Sequence, residues 1–296
     1  DGVTAITDTG FTLGDNGSGT QSMEMNKSGN NYVAWTWKAG GGKVGGGGFF
    51  KDDVEYASAA AAGLTAGSIT PDAASVGTKQ GFSIIAYTGN GSSGTVSHGL
   101  NQSPEFILAK NRDAEANWFV FSSELGSNQA LQLNSNNAPF SASPAGINAT
   151  SATTFTLGGA RGETNTNTED YIAYCWHDVP GLQQFGKWKG NGTSDGPFIE
   201  TGFRPAIILY KDITSGGYWN IRDSSRTTYN GATQELYPAT NESENHHNSN
   251  RPIDFLSNGF KIRSDNDAIN NSSRQYLYAA WAEAPTFNLY GAQSNA

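Results

Sequence analysis

Four groups of side chains in this sequence have the types and spacing that chemistry requires. Glu163, Glu169 and Asp170 offer the paired carboxylates of glycosidic cleavage, one to protonate the leaving oxygen and one to attack or activate water. Asp265-Asn266-Asp267 reads like the first ligands of a calcium loop. His246-His247 offers two imidazoles to a metal ion. Trp188, Tyr218 and Tyr229 are the candidates for exposed rings. A flat apolar ring takes the C–H face of a sugar, with the abundant Asn and Asp beside it to meet the hydroxyls.

Most of this chemistry weakens because the chain repeats itself and the reactive residues do not. Pro104 and Pro205, Lys110 and Lys211, and Trp118 and Trp219 are each 101 residues apart. Tyr87-Thr88-Gly89-Asn90-Gly91 matches Trp188-Lys189-Gly190-Asn191-Gly192 at that same spacing. Closing segments recur 105 residues apart, Thr154–Leu157 with Gly259–Ile262 and Tyr171–Trp176 with Tyr276–Trp281. A third closing segment, Gly10–Leu13 followed by Tyr32–Trp37, opens the chain without its opening half. A unit copied within one chain is ordinarily an architectural module.

Across the copies His98 falls on Thr201 and His177 on Ala282, and the Glu163/Glu169 pair has no counterpart between Ser264 and Arg274. The aspartate run lacks the glycine and distant glutamate of an EF-hand, and the adjacent histidines lack a third ligand. Metalloprotease, phosphate-loop and zinc-ribbon motifs are absent from the sequence. The sequence therefore predicts no enzyme, no metal and no cofactor. Cys175 aligns with Ala280 and Thr36, as a small buried residue does and a nucleophile does not. The repeated Trp118 and Trp219 are expected as core anchors. Asn-x-Ser/Thr triplets at Asn90, Asn148 and Asn191 are what chance gives in so Asn- and Ser-rich a chain.

The elements that must position these residues read as strands. Only 15% of the 296 residues are charged, aromatics reach 11%, and 37 glycines punctuate the chain, a mixture suited to short strands and tight turns. Tyr171, Ala173 and Cys175 alternate with Ile172, Tyr174 and Trp176, as on a strand with two distinct faces. The fold class expected is all-β, as tandem β-sandwich repeats with a Gly/Ala-rich inter-repeat insertion. The expected boundaries are a remnant of a preceding repeat over 1–42, an insertion or linker over 43–80, repeat 1 over 81–181, repeat 2 over 182–290 and a tail over 291–296. On this reading the chain is part of something longer. Within the insertion, Glu55–Ala62 is expected as one or two helical turns ended by Gly63. A net charge of −9 without basic clusters argues against nucleic acid and anionic membranes, and no apolar run approaches the ~20 residues of a membrane-spanning helix.

The wording of the repeats resembles a family of repeated domains in virion proteins of tailed phages, many from marine and cyanobacterial hosts. The residues that carry it are Gly81 to Gly91, His98-Gly99-Leu100, Pro104 to Lys110, Asp254 to Lys261 and Tyr276 to Pro285. The resemblance spans 81–285 well and 1–80 in part, and its motifs are structural. It implies a tail-fibre segment on a virion, outside the host cell, assembled with copies of itself (as a homotrimer) and with other virion proteins. Such a segment would space or present loops that grip host-surface polysaccharide. Alternatives are a carbohydrate-binding module of a secreted surface protein, a capsid decoration or filament subunit, and a polysaccharide depolymerase.

Overall fold

The computed structural model describes residues 2–7, 10–14, 26, 28–42, 47–244 and 250–283. It is an all-β protein. β1 (Val3–Thr7) and β2 (Gly10–Leu13) form a hairpin, followed by β3 (Phe49–Lys51), β4 (Val54–Tyr56) and β5 (Ala73–Gly77). The first module contains β6 (Phe82–Thr88), β7 (Gly94–Ser97), β8 (Phe106–Asn111), β9 (Phe119–Ser122) and β10 (Gln129–Gln132). It closes with β11 (Phe140–Ser141), β12 (Ile147–Thr150), β13 (Thr154–Leu157) and β14 (Asp170–Trp176). The second contains β15 (Gln183–Lys189), β16 (Phe198–Glu200), β17 (Pro205–Asp212) and β18 (Asn220–Asp223). It closes with β19 (Ile253–Leu256), β20 (Gly259–Ile262), the single-turn helix α1 (Asp267–Asn270) and β21 (Gln275–Ala282).

The duplication extends to individual backbone pairs. In the first module the run β9-β8-β14-β6 faces the sheet β12-β13-β7; in the second, β18-β17-β21-β15 faces β19-β20-β16. Ile107 lies opposite Phe121 where Ile208 lies opposite Arg222, and Tyr171 lies between Asn111 and Tyr87 where Tyr276 lies between Asp212 and Trp188. Each module is a β-sandwich whose inner faces close on an apolar core. Tyr87, Ala109, Phe155, Tyr171 and Cys175 fill the first, and Trp188, Tyr210, Phe260, Tyr276 and Ala280 the second.

The outer faces of the two four-stranded runs pack on each other, making a third core. Phe106, Val120, Leu131 and Trp176 from the first module meet Phe185, Leu209, Trp219, Leu277 and Trp281 from the second. Alternation explains it: Tyr174 and Trp176 point away from their own sandwich because Tyr171, Ala173 and Cys175 point into it. With both faces of β14 and β21 dry, the modules form one four-layered body. Each fully buried large apolar side chain there contributes roughly 1.5–3 kcal/mol.

Two expectations require correction. Residues 49–77 of the expected linker form β3, β4 and β5, which extend the first module's sheet through β5 against β6. Ala59, Ala62, Leu64, Ile69, Ala74 and Val76 enter its core, so apolar content outweighed the turn-rich composition. Where helical turns were expected, Val54–Tyr56 is strand, and one turn survives as Ala62 N–H donating to the Ser58 carbonyl at 3.1 Å. The paired tryptophans also differ. Trp219 is fully buried and its indole N–H donates to the Gln132 carbonyl at 3.0 Å, across the junction. Trp118 is half-buried and stacks on Tyr174 of its own module at 6.3 Å.

Candidate functional site

The repeated Gly-Asn-Gly segments prove to be scaffold. The Gly89 and Gly190 backbones press so closely on the following loop that a Cβ would sit 2.3 Å from the Thr166 carbonyl oxygen and 2.2 Å from that of Asn271. Buried Asn165 and Asn270 accept from Asn90 N–H at 3.0 Å and Asn191 N–H at 2.8 Å. Tyr171 and Tyr276 hydroxyls each accept from the backbone N–H of Thr166 and Asn271 at 2.8 Å. Burial first of all raises the Tyr276 phenol, to about 12.

The modules diverge at the loops beyond β17 and β18, where the second carries a cleft of about 380 Å³. Its construction begins with one substitution between the copies, Phe121 in the first core and Arg222 in the second. Arg222 is buried and pairs with buried Glu235 at 2.7 Å, while donating to the Arg251 carbonyl at 2.9 Å. A desolvated pair needs further partners. Glu235 takes a short hydrogen bond from the Tyr237 hydroxyl and lies 3.6 Å from the Arg251 guanidinium. Burial and then Glu235 push the Tyr237 phenol well up, so it stays a neutral donor. Tyr237 in turn meets Tyr218 edge-on at 6.1 Å, which orients the exposed Tyr218 ring at the cleft wall.

The lining also includes Arg274, held by Asp212 at 3.1 Å, with Asn266 and Asp267 at the start of α1. The first module places Asn111 and Glu169 at the corresponding positions, joined at 2.6 Å, so the partnership persists with its chemistry changed. The floor loop at Gly216-Gly217 is fixed by the first module, as Gly217 N–H donates to the Asn136 carbonyl at 2.7 Å. Beneath it, buried Lys211 donates to the Ser135 carbonyl at 3.1 Å and makes a short bond to the Gly217 carbonyl. Desolvation lowers the Lys211 ammonium to about 8, opposed by Asp212.

Of the three ring candidates, only Tyr218 lines this cleft. Trp188 is buried in the second core, stacked on Tyr276 at 5.1 Å, because its strand position faces inward; it offers no ligand surface. Tyr229 is 75% exposed on the loop after β18, outside the cleft lining. Asp212, Arg251, Arg274 and Tyr237 carry no local signal in the sequence that distinguishes them from the chain's other polar residues. Asn266 and Asp267 belonged to the apparent calcium run, where Asn266 instead caps α1, accepting from Ala268 N–H at 3.0 Å. Among the described residues no cluster of metal-ligating side chains occurs; His246-His247 lies outside them.

The carboxylates considered for hydrolysis hold loops. Glu163 pairs with Arg161 at 2.9 Å and accepts from Gln132, Glu169 accepts from Asn111 and Tyr171, and Asp170 accepts from Thr88. Cys175 is buried between the sheets, and burial raises its thiol far above the usual range. Among the described residues no helix is long and apolar enough to cross a membrane.

Fold and cleft together define a duplicated β-sandwich scaffold with a loop-end concavity on its second module. The chain belongs to the family described as Domain of unknown function (DUF7483), whose model matches residues 1–48 and 55–285. No curated protein and no solved structure matches it.

Proposed function

We propose that this chain is a non-catalytic structural and adhesive segment of a tailed-phage particle, a tail-fibre component that holds a glycan-binding cleft on its second module. The observation that carries the reading is an asymmetry. Two modules keep the same strand register, while Arg222, Glu235, Tyr218 and Arg274 equip the second with a ring-walled concavity. Tyr218 would take the C–H face of a pyranose, and Arg274, Asn266 and Asp267 would meet its hydroxyls. A single such contact is weak, and homotrimers on a fibre would multiply it by avidity. The virion placement and the host-surface polysaccharide partner rest on the resemblance of the repeat motifs.

A glycan array probed with the chain, followed by calorimetry on each hit, tests the cleft. Tyr218→Ala is expected to weaken binding at least about tenfold and Tyr229→Ala to leave it unchanged. An array with no hit, or equal binding by the Tyr218 variant, refutes the sugar site. Immunogold labelling of phage particles tests the placement: label on the tail supports it, label on the head or nowhere refutes it.

A further inference from the structure

The N-terminal segment has the hairpin of a module's closing half, with residues 32–37 outside any strand, and lacks the core that such a half normally covers. In β1 and β2, Val3 pairs with Leu13, Ala5 with Thr12 and Ile6 with Phe11, with a register shift between Val3 and Ala5. In β12 and β13, Ile147 pairs with Leu157, Ala149 with Thr156 and Thr150 with Phe155, with the shift between Ile147 and Ala149. These three pairs and the bulge coincide at an offset of 144, and β1 and β2 add a fourth pair, Thr7 with Gly10. The side chains nevertheless differ in fate: Ile147 and Phe155 are fully buried, whereas Val3 is 49% and Phe11 40% exposed.

Residues 32–37 give the same answer in a second way. They align with β14 and β21, in which Tyr171, Ala173 and Cys175, and Tyr276, Tyr278 and Ala280, face their own sandwich, while Tyr174 and Trp176, and Leu277, Ala279 and Trp281, face the shared core. Here the shared-core side is engaged. Trp37 meets Trp176 at 6.5 Å and Trp281 at 5.3 Å, edge-on, so that equivalent tryptophans from three copies converge. Val33 and Trp35 are likewise partly covered. The other side is open: Tyr32 is 51% exposed, and Ala34 and Thr36 are exposed with it. Val33 and Trp35 are thus the more covered residues, in phase with the face that has a neighbour, while Trp37 keeps 36% of its surface exposed beside its two ring contacts.

We propose that this open face is the docking surface for the opening half of a further module: four strands with the pattern of β6–β9 or β15–β18, not already joined to a closing half. In both intact modules those strands cover these positions, β6 and β8 flanking β14, and β7 flanking β13. A second copy of this chain does not fit, because both of its opening halves are already zipped along their own closing strands. Four strands added between the hairpin and residues 32–37 would extend the stack of sandwiches by one unit about the tryptophan cluster, independently of what the cleft binds.

The test appends residues 182–226 of this sequence ahead of residue 1 and follows amide exchange. Amides of 3–7, 10–13 and 32–37 are expected to exchange at least about tenfold more slowly than in the unextended chain. Phe11→Ser in the extended chain is expected to abolish that gain. Unchanged exchange in the extended chain overturns the proposal. A second measurement uses the unextended chain: Phe11→Ser is expected to leave Tm within about 1 °C, while Phe155→Ser lowers it by about 10 °C. Comparable losses for the two would mean that Phe11 already sits in a closed core, and the proposal fails.

Discussion

Replacing Trp219 asks whether the two sandwiches are one cooperative body. The indole is fully inaccessible, packs edge-on to Phe106 of the first module at 6.4 Å and donates to the Gln132 carbonyl. Trp219→Ala removes that apolar contact and opens a cavity, a loss of about 3–5 kcal/mol for a buried tryptophan. Trp219→Phe keeps most of the apolar volume and strands the Gln132 carbonyl, costing about 1–3 kcal/mol. Trp118→Ala, at a half-buried ring with one stacking partner, should cost about 1 kcal/mol. Urea unfolding followed by tryptophan fluorescence and by far-ultraviolet circular dichroism measures all three. The wild type should unfold in one transition by both probes, because the shared core makes the outer faces of β14 and β21 mutually dependent. Two separate wild-type transitions, or a Trp118→Ala loss equal to that of Trp219→Ala, would refute the shared core as the main tie between modules.

Gly190→Ala places a Cβ 2.2 Å from the Asn271 carbonyl oxygen, in backbone that cannot yield cheaply, and should destabilise by about 3 kcal/mol in denaturant titration. Gly159→Ala, with open space around its Cβ, should stay within about 0.5 kcal/mol. His98 provides a pH dependence. Its Nδ1 accepts from Leu100 N–H at 3.2 Å, so the neutral ring donates from Nε2 to the Ser151 carbonyl at 3.1 Å. Burial foremost lowers the imidazole to about 4, below its value of 6.5 in the unfolded chain. The unfolded state then binds the extra proton first, so stability is full above pH 6.5 and declines as pH falls toward 4. The total is up to about 3 kcal/mol. His98→Gln should remove that slope from the pH–stability curve; a slope that persists would assign it to other groups.

Much of the architecture was legible because both copies carry the same alternation. Tyr171–Trp176 and Tyr276–Trp281 declare two apolar faces, the recurring Gly-Asn-Gly marks the loop that Asn165 and Asn270 later prove to clamp, and an all-β sandwich follows. The segment 49–77 resembles a connector in composition, and its short strands gain meaning only beside β6. Trp188 looked like an exposed ring because no local signal tells an inward aromatic from an outward one. The cleft was least visible: Arg251 and Arg274 lie far in sequence from Asp212 and Tyr218, and the four meet only when β17, β18 and α1 are placed.

By itself the sequence determined the number of units, the period of their strands and which residues share a side. Tertiary structure alone decided what each side touches: that Trp176 and Trp281 converge, that Trp219 is sealed while Trp118 is not, and that Tyr218 faces a concavity. The reason is physical. Period-two alternation is a property of one extended backbone, whereas burial is a property of what another strand, distant along the chain, brings against it.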